Sequence, residues 1–140
     1  MRPAYDYLLV GGGLQNGLIA LAVLARDPAA RIAIVEKTDR LAGNHTWSFH
    51  DTDIPTSCRS WIEPVLSFRW PDYEVRFPGH REVVPIGYAS ILSEHFAQAV
   101  TKAVSSSGGS ILLNATVTAA TSNHVTLAEG HTLEGRWVID

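Results

Sequence analysis

Only one cysteine, Cys58, occurs in the 140 residues, so no disulfide framework can hold this chain together and a reducing compartment is expected. Positive charge is also scarce: 11 Lys and Arg stand against 14 Asp and Glu, with no basic run. The electrostatic footprint that nucleic acid demands is therefore missing, and nucleic-acid partners are excluded. No apolar stretch approaches the length needed to cross a bilayer. Nothing repeats at a fixed period, and the one low-complexity patch, Ser105 to Gly109, is short enough to join a helix to a strand. Met1 and Arg2 precede the apolar stretch Tyr7 to Val10, but Asp6 interrupts it and glycines follow, so the start reads as mature cytoplasmic sequence, not as a targeting peptide. With 46% hydrophobic residues the chain has enough apolar material for one packed domain.

What is present begins with a buried strand over Tyr5–Val10, a run Gly11-Gly12-Gly13, and a helix whose apolar face is expected to carry Leu14, Leu18, Leu21, Ala22 and Ala25 before Asp27-Pro28 stops it. Ile32 to Glu36 follows as a second strand, which completes a βαβ unit. Residues 37–55 show no period and read as a long irregular connection of the kind that carries function. A short helix is expected over Cys58–Leu66, stopped near Pro64, then strands over Tyr73–Phe77 and Glu82–Tyr88, the latter weakened by Pro85. Leu92, Phe96, Ala99, Val100, Ala103 and Val104 predict a helix capped by Ser90. Ile111–Leu113 is another buried strand, and Val117–Ala119, Val125–Leu127 and Trp137–Ile139 read as a small antiparallel meander. An apolar run ending at Asp140 with no covering helix after it suggests the front part of a longer protein. The fold class expected is therefore α/β: a Rossmann-like FAD/NAD(P)-binding domain with a parallel sheet and a small meander, incomplete at its C-terminus, occupying residues 1–140 with an aromatic-rich insertion over about 44–88.

The glycines sit where a strand turns into a helix, the context in which a glycine turn binds a pyrophosphate. Gly11 permits the tight turn and Gly13 lets backbone approach the phosphates. In G-x-G-x-x-G the third glycine would fall on Asn16; here Gly17 follows one step later and is expected to relieve packing of the helix against a strand. Glu36, at the end of the second strand, can accept hydrogen bonds from both ribose hydroxyls of an adenosine and repels a 2′-phosphate. The alternative is a structural glycine turn beside a solvated carboxylate, which leaves the agreement of strand, turn and acid unexplained. A nicotinamide dehydrogenase would continue at once with a second helix and third strand; the long excursion before the next helix favours FAD. Asn44 and His45, on the loop after the second strand, are candidates to lie near the pyrophosphate or flavin. His45, His50, Asp51 and Asp53 share one loop without a second separated ligand group, a poor metal site, so no metal is assigned. Trp47, Phe49, Trp61, Phe68, Trp70, Tyr73, Phe77 and Tyr88 are concentrated in one segment and can either fill a core or line a pocket for a large apolar substrate. His80, His95, His124 and His131 read as surface or turn residues, and Cys58 has only Arg59 nearby to activate it.

The segments Gly11 to Leu21, Gly43-Asn44-His45-Thr46-Trp47-Ser48-Phe49-His50, Trp70 to Pro78 and Val138-Ile139-Asp140 resemble the bacterial lycopene β-cyclase family along the whole chain. The Asn16-Gly17 pair is typical of that family, whereas Ala42 stands where members commonly have glycine. The resemblance implies that this chain matches the N-terminal FAD-binding part of a longer enzyme, with Gly11, Gly13, Leu14, Asn16, Gly17, Glu36, Gly43, Asn44, His45 and Asp140 toward the cofactor and the catalytic acid beyond Asp140. It implies cyclisation of the ends of lycopene to β-rings, giving β-carotene by way of γ-carotene without net redox change. Reduced FAD, kept reduced by NAD(P)H, is implied as cofactor, and the substrate implies a cytoplasmic protein in peripheral contact with a membrane. Two other functions remain open at this point: an FAD-dependent oxidoreductase or monooxygenase acting on an apolar substrate, and a nucleotide-binding module without catalysis.

Overall fold

A computed structural model describes residues 4–140; Met1 and Arg2, which entered the reading of the N-terminus, lie outside the described residues. Continuous apolar runs make the central strands, because both faces of a parallel sheet are covered. β1 (Tyr5–Val10) lies between β2 (Ile32–Val35) and β11 (Thr132–Ile139), parallel to both, with Leu8 opposite Ala33 and Val138. β8 (Ser110–Leu112) pairs in parallel with β2, and β9 (Val117–Ala120) and β10 (His124–Leu127) extend the other side. The resulting sheet has the order β8-β2-β1-β11-β10-β9. Its last strand has two roles. Thr132 to Glu134 pair antiparallel with β10 and so form the third strand of the meander, in place of Trp137–Ile139, which the sequence reading put there. Gly135 to Ile139 run parallel to β1, because the eight-residue strand continues past the meander into the central sheet.

Two helices cover one face. α1 (Leu14–Arg26) buries Asn16, Gly17, Ala20 and Leu21, whereas Leu14, Leu18 and Ala22 are half-buried and Ala25 is exposed. The buried stripe is thus rotated toward the small residues. The cause is α3 (Ser93–Ser106), whose Phe96 occupies the space that a side chain on Gly17 would need: a Cβ there would lie 2.4 Å from the Phe96 ring and 3.2 Å from Val100. Gly17 therefore relieves a helix–helix contact, not the helix–strand contact expected from sequence. Ser90 is not the cap of α3. It is buried within β7 (Tyr88–Leu92), and the helix starts three residues later behind Leu92.

Between β2 and α3 the chain is more regular than its sequence period suggests. Thr46 to His50 form β3, which pairs antiparallel with β7; β4 (Phe68–Trp70) pairs with the other edge of β7. The alternation of Trp47 and Phe49 with Thr46 and Ser48 was the signal of this strand. β5 (Tyr73–Phe77) and β6 (His80–Val84) make a separate hairpin, and Pro85 ends β6, so the stretch Glu82–Tyr88 spans the end of one strand and the start of another. Short turns flank α2 (Arg59–Ile62), and Pro64 falls inside the turn that follows it. Asp51 anchors this region by accepting hydrogen bonds from Arg59 and Arg69, and those guanidinium groups hold its carboxyl below its ordinary pKa. Leu9, Ile34, Ile91, Phe96, Val100 and Val65 meet in one core, so the segment packs on the same interior as the large sheet. Burial of a side chain such as Phe96 contributes about 3 kcal/mol.

Candidate functional site

At the C-terminal end of β1 the chain turns through Gly11, whose φ of +93° is open to glycine, and its N–H donates to the Val35 carbonyl at 2.8 Å. The Gly12 N–H donates to Oε2 of Glu36 at 2.7 Å, and its carbonyl accepts from the Ala42 N–H at 2.7 Å. A Cβ at Gly12 would lie 2.4 Å from Leu41, so the turn, the second strand and the loop after it close on one another here. Asn16 ties the helix back to the turn: its Nδ2 donates to the carbonyls of Val10 and Gly11 at 2.7 and 2.9 Å. That fixes the first turn of α1 against the glycine turn.

Gly13 is exposed, with no atom within 4 Å of where a Cβ would be, and α1 has neither a side-chain cap nor an acid in its first turn. Such a helix end favours an anion. Glu36 stands beside it. Burial pulls its pKa upward, but hydrogen bonds from the Gly12 N–H and from the Thr38 N–H and hydroxyl, with Lys37 nearby, outweigh burial and hold it below its ordinary value. A carboxylate so fixed is ionised, and one lone-pair site on Oε2 is left to accept from a hydroxyl group.

Glu36 lines two clefts. One, of about 340 Å³, is formed by Gly12, Gly13, Leu14, Glu36, Thr38, Arg40, Ala42, Gly43, His45 and Trp47. The other, of about 250 Å³, is formed by Val10, Gly11, Val35, Glu36, Lys37, Ala115, Thr116, Val117 and Asp140. The residues singled out from sequence divide accordingly. Gly13, Leu14, Gly43 and His45 gather with Glu36 in the first cleft, and Gly11 and Asp140 in the second. Asn16 and Gly17 are buried in structural contacts. Asn44 lines neither cleft but a neighbouring groove with Asp39, Ser93 and Glu94. His45 is exposed, with its N–H on Ser93 Oγ at 3.1 Å and its ring against Trp47. Arg40, Thr38 and Ala115 to Val117 were missed by the sequence reading. Arg40, four residues past Glu36, was the one visible signal, while small residues in a connection such as Ala115-Thr116 carry none. Among the described residues no cluster of His, Cys, Asp and Glu could hold a metal ion, and no helix is long and apolar enough to cross a membrane.

A family model described as lycopene cyclase protein matches residues 6–140. The chain belongs to the lycopene cyclase family. It is 39% identical over 140 residues to the lycopene beta-cyclase of Pantoea ananas, covering all of this chain and 36% of that protein. It is 43% identical over 135 residues to that of Pseudescherichia vulneris, covering 96% of this chain and 34% of that one. The chain thus spans about a third of the length of the curated relatives it matches. Among solved structures it resembles PqsL of Pseudomonas aeruginosa, described as a probable FAD-dependent monooxygenase, with a TM-score of 0.71 at 17% identity over 96% of this chain and 41% of that one. The tetrameric form of 2-methyl-3-hydroxypyridine-5-carboxylic acid oxygenase gives 0.72 at 16% identity over 94% and 38%. At these identities the likeness shows the fold: the Rossmann-like α/β fold of FAD-dependent monooxygenases, with its parallel sheet and antiparallel strands.

Proposed function

We propose that residues 1–140 are the FAD-binding front portion of a lycopene β-cyclase, with residues 44–88 inserted into that domain. The observation that carries the reading is Glu36, ionised and hydrogen-bonded to the glycine turn at the edge shared by the two clefts. The residues fit the cofactor. The open N-terminus of α1 at Gly13, with Arg40 across the cleft, suits a pyrophosphate; Glu36 suits a ribose hydroxyl; Val10, Val35, Ala115 and Val117 suit the flat apolar face of an adenine. Gly43, His45 and Leu14 border the same cleft, and Asp140 closes the adenine side. Reduced FAD, kept reduced by NAD(P)H, would supply an electron-rich surface beside a developing carbocation.

In this reading the chain's own groups bind and orient. Glu36 accepts a ribose hydroxyl hydrogen bond on Oε2, whose second lone pair is left by Gly12, and repels a 2′-phosphate, and Asn16 holds the turn in front of the helix end. Trp47 and Leu14 place apolar surface beside the polar groups of the cleft. The overall reaction adds a proton to a terminal double bond of lycopene, closes a ring on the tertiary cation and releases a proton, so γ-carotene and then β-carotene form as isomers of the substrate. The acid that delivers the proton is assigned to the part of the enzyme beyond residue 140. A carotene dissolved in a membrane calls for a cytoplasmic protein in peripheral contact with that membrane.

Expression of the complete reading frame in a lycopene-accumulating bacterium tests this. Conversion of lycopene to γ- and β-carotene of unchanged mass is expected. A product carrying added oxygen would instead support a monooxygenase, the second reading, which the shared fold favours. Unchanged lycopene in the presence of flavin-loaded protein would remove the cyclase assignment, and residues 1–140 alone are expected to form no β-carotene.

A further inference from the structure

The aromatic residues that crowd residues 47–88 divide between two opposite faces of one sheet. Register puts Trp47 opposite Ile91 and Phe49 opposite Ala89, and these side chains face the core. On the other face His50, Tyr88 and Trp70 form a cross-strand row and Phe68 lies beside it. Tyr73 joins from the hairpin. The rings make an unbroken ladder: Phe68 to Trp70 at 6.0 Å, Trp70 to Tyr88 at 6.2 Å, Tyr88 to Tyr73 at 5.6 Å, and His50 within 5.5 Å of both tyrosines. Phe68 is 52% exposed, Trp70 46%, and Phe77, farther along the face of the hairpin that carries Tyr73, 65%.

This face has the chemistry of a protein interface. Its exposed side chains are Phe68, Trp70 and Phe77 with the tyrosines between them, the aromatic types enriched in interface cores. None of the ladder rings lines either cleft at Glu36. The sheet order β3-β7-β4 also leaves two edges free to accept strands among the described residues. The length of the relatives decides the occupant: this chain spans 34–36% of theirs, which leaves about two thirds of such an enzyme to be seated.

We infer that the outer aromatic face of the β3-β7-β4 sheet is the surface on which the remaining two thirds of the full-length enzyme docks, through an apolar, sheet-forming segment. The inference rests on the proposal that the chain is the front of a longer protein, but not on the reaction catalysed.

Hydroxyl-radical footprinting of the full-length protein, read by mass spectrometry, tests it. Oxidation of Phe68 and Trp70 is expected to be slowed at least about tenfold relative to the denatured protein, as in an interface core. The slowing should be the same on dilution to monomer and with or without phosphatidylethanolamine–phosphatidylglycerol vesicles. Slowing of only about twofold, which is what 46% exposure of Trp70 allows, overturns the inference. Protection that disappears on dilution assigns the face to a second copy, and protection that needs vesicles assigns it to a membrane; either overturns it. A natural protein whose mass corresponds to 140 residues would defeat the proposal of a longer enzyme itself, and loss of cyclisation with the rings protected would defeat only the assigned reaction.

Discussion

The large sheet and the aromatic segment between Thr46 and Leu92 use apolar residues in opposite ways. In the sheet, Leu8, Leu9, Ile32, Ala33 and Ile34 have no exposed surface, and the polar groups left at its edge converge on a carboxylate and a helix end. In the segment, Phe68, Trp70 and Phe77 are about half exposed or more, and the polar groups pair with one another in surface ion pairs. One region is closed over its central strands, although Trp137 at the end of β11 is 53% exposed. The other is closed on one side only, and its open side is shaped for another piece of protein. The two are joined through Phe96, which fills the space over Gly17 on α1 and meets Trp47 of β3 edge-on at 5.7 Å.

Breaking that joint should give the largest effect. Phe96→Ala is expected to lower the unfolding free energy by about 3–5 kcal/mol, measured by denaturant titration of the full-length protein. Gly17→Ala should be destabilising alone and much less so in the Phe96→Ala background, because the cavity accepts the new methyl; strictly additive effects would mean the two residues do not share that space. Next is the loop that links the glycine turn to the aromatic segment. Ala42 is 4% exposed with φ +63°, and Ala42→Val, which adds a β-branch in a left-handed conformation, should cost about 2 kcal/mol, whereas Ala42→Gly should cost little.

A smaller, pH-dependent effect distinguishes the carboxylate of the closed region. The folded protein holds Glu36 below its ordinary value of 4.5, so its contribution to stability is present above that pH and is lost as pH falls through the lower folded value. Acid titration of stability should therefore be steeper for the natural protein than for Glu36→Gln, and parallel curves would show that the Gly12 and Thr38 hydrogen bonds do not bias its ionisation. Smallest of all is the open region's hairpin. Arg76→Ala removes a side chain that is 72% exposed and paired with Glu74, and should change stability by less than about 0.5 kcal/mol.

The two regions also differed in how far their sequences could be read. Tyr5–Val10, Gly11 and Ile32–Glu36 were legible because a strand buried on both faces and a glycine turn are local patterns, and Glu36 followed from its place in them. Gly17 was recognised as a packing device but assigned the wrong partner, since nothing local reveals that a phenylalanine 79 positions away fills the gap. β3 was hidden because it has only five residues and follows Gly43 and Asn44, which read as loop. Ser90 looked like a helix cap from its spacing, but tertiary pairing with Ser48 and Phe68 draws it into a strand. Ala115 to Val117 border the cleft only because β8 lies beside β2, a long-range fact.

The central claim is that the glycine turn and Glu36 hold FAD. Titration of FAD into the full-length apoprotein, with Glu36→Gln beside it, tests this most directly. The substitution keeps the shape of the side chain and an acceptor for the Gly12 N–H while removing the charge that strengthens hydrogen bonds to the ribose. We predict saturable, one-to-one binding by the natural protein and affinity weakened about tenfold or more in Glu36→Gln. Equal affinities, or no binding by the natural protein, would contradict the account.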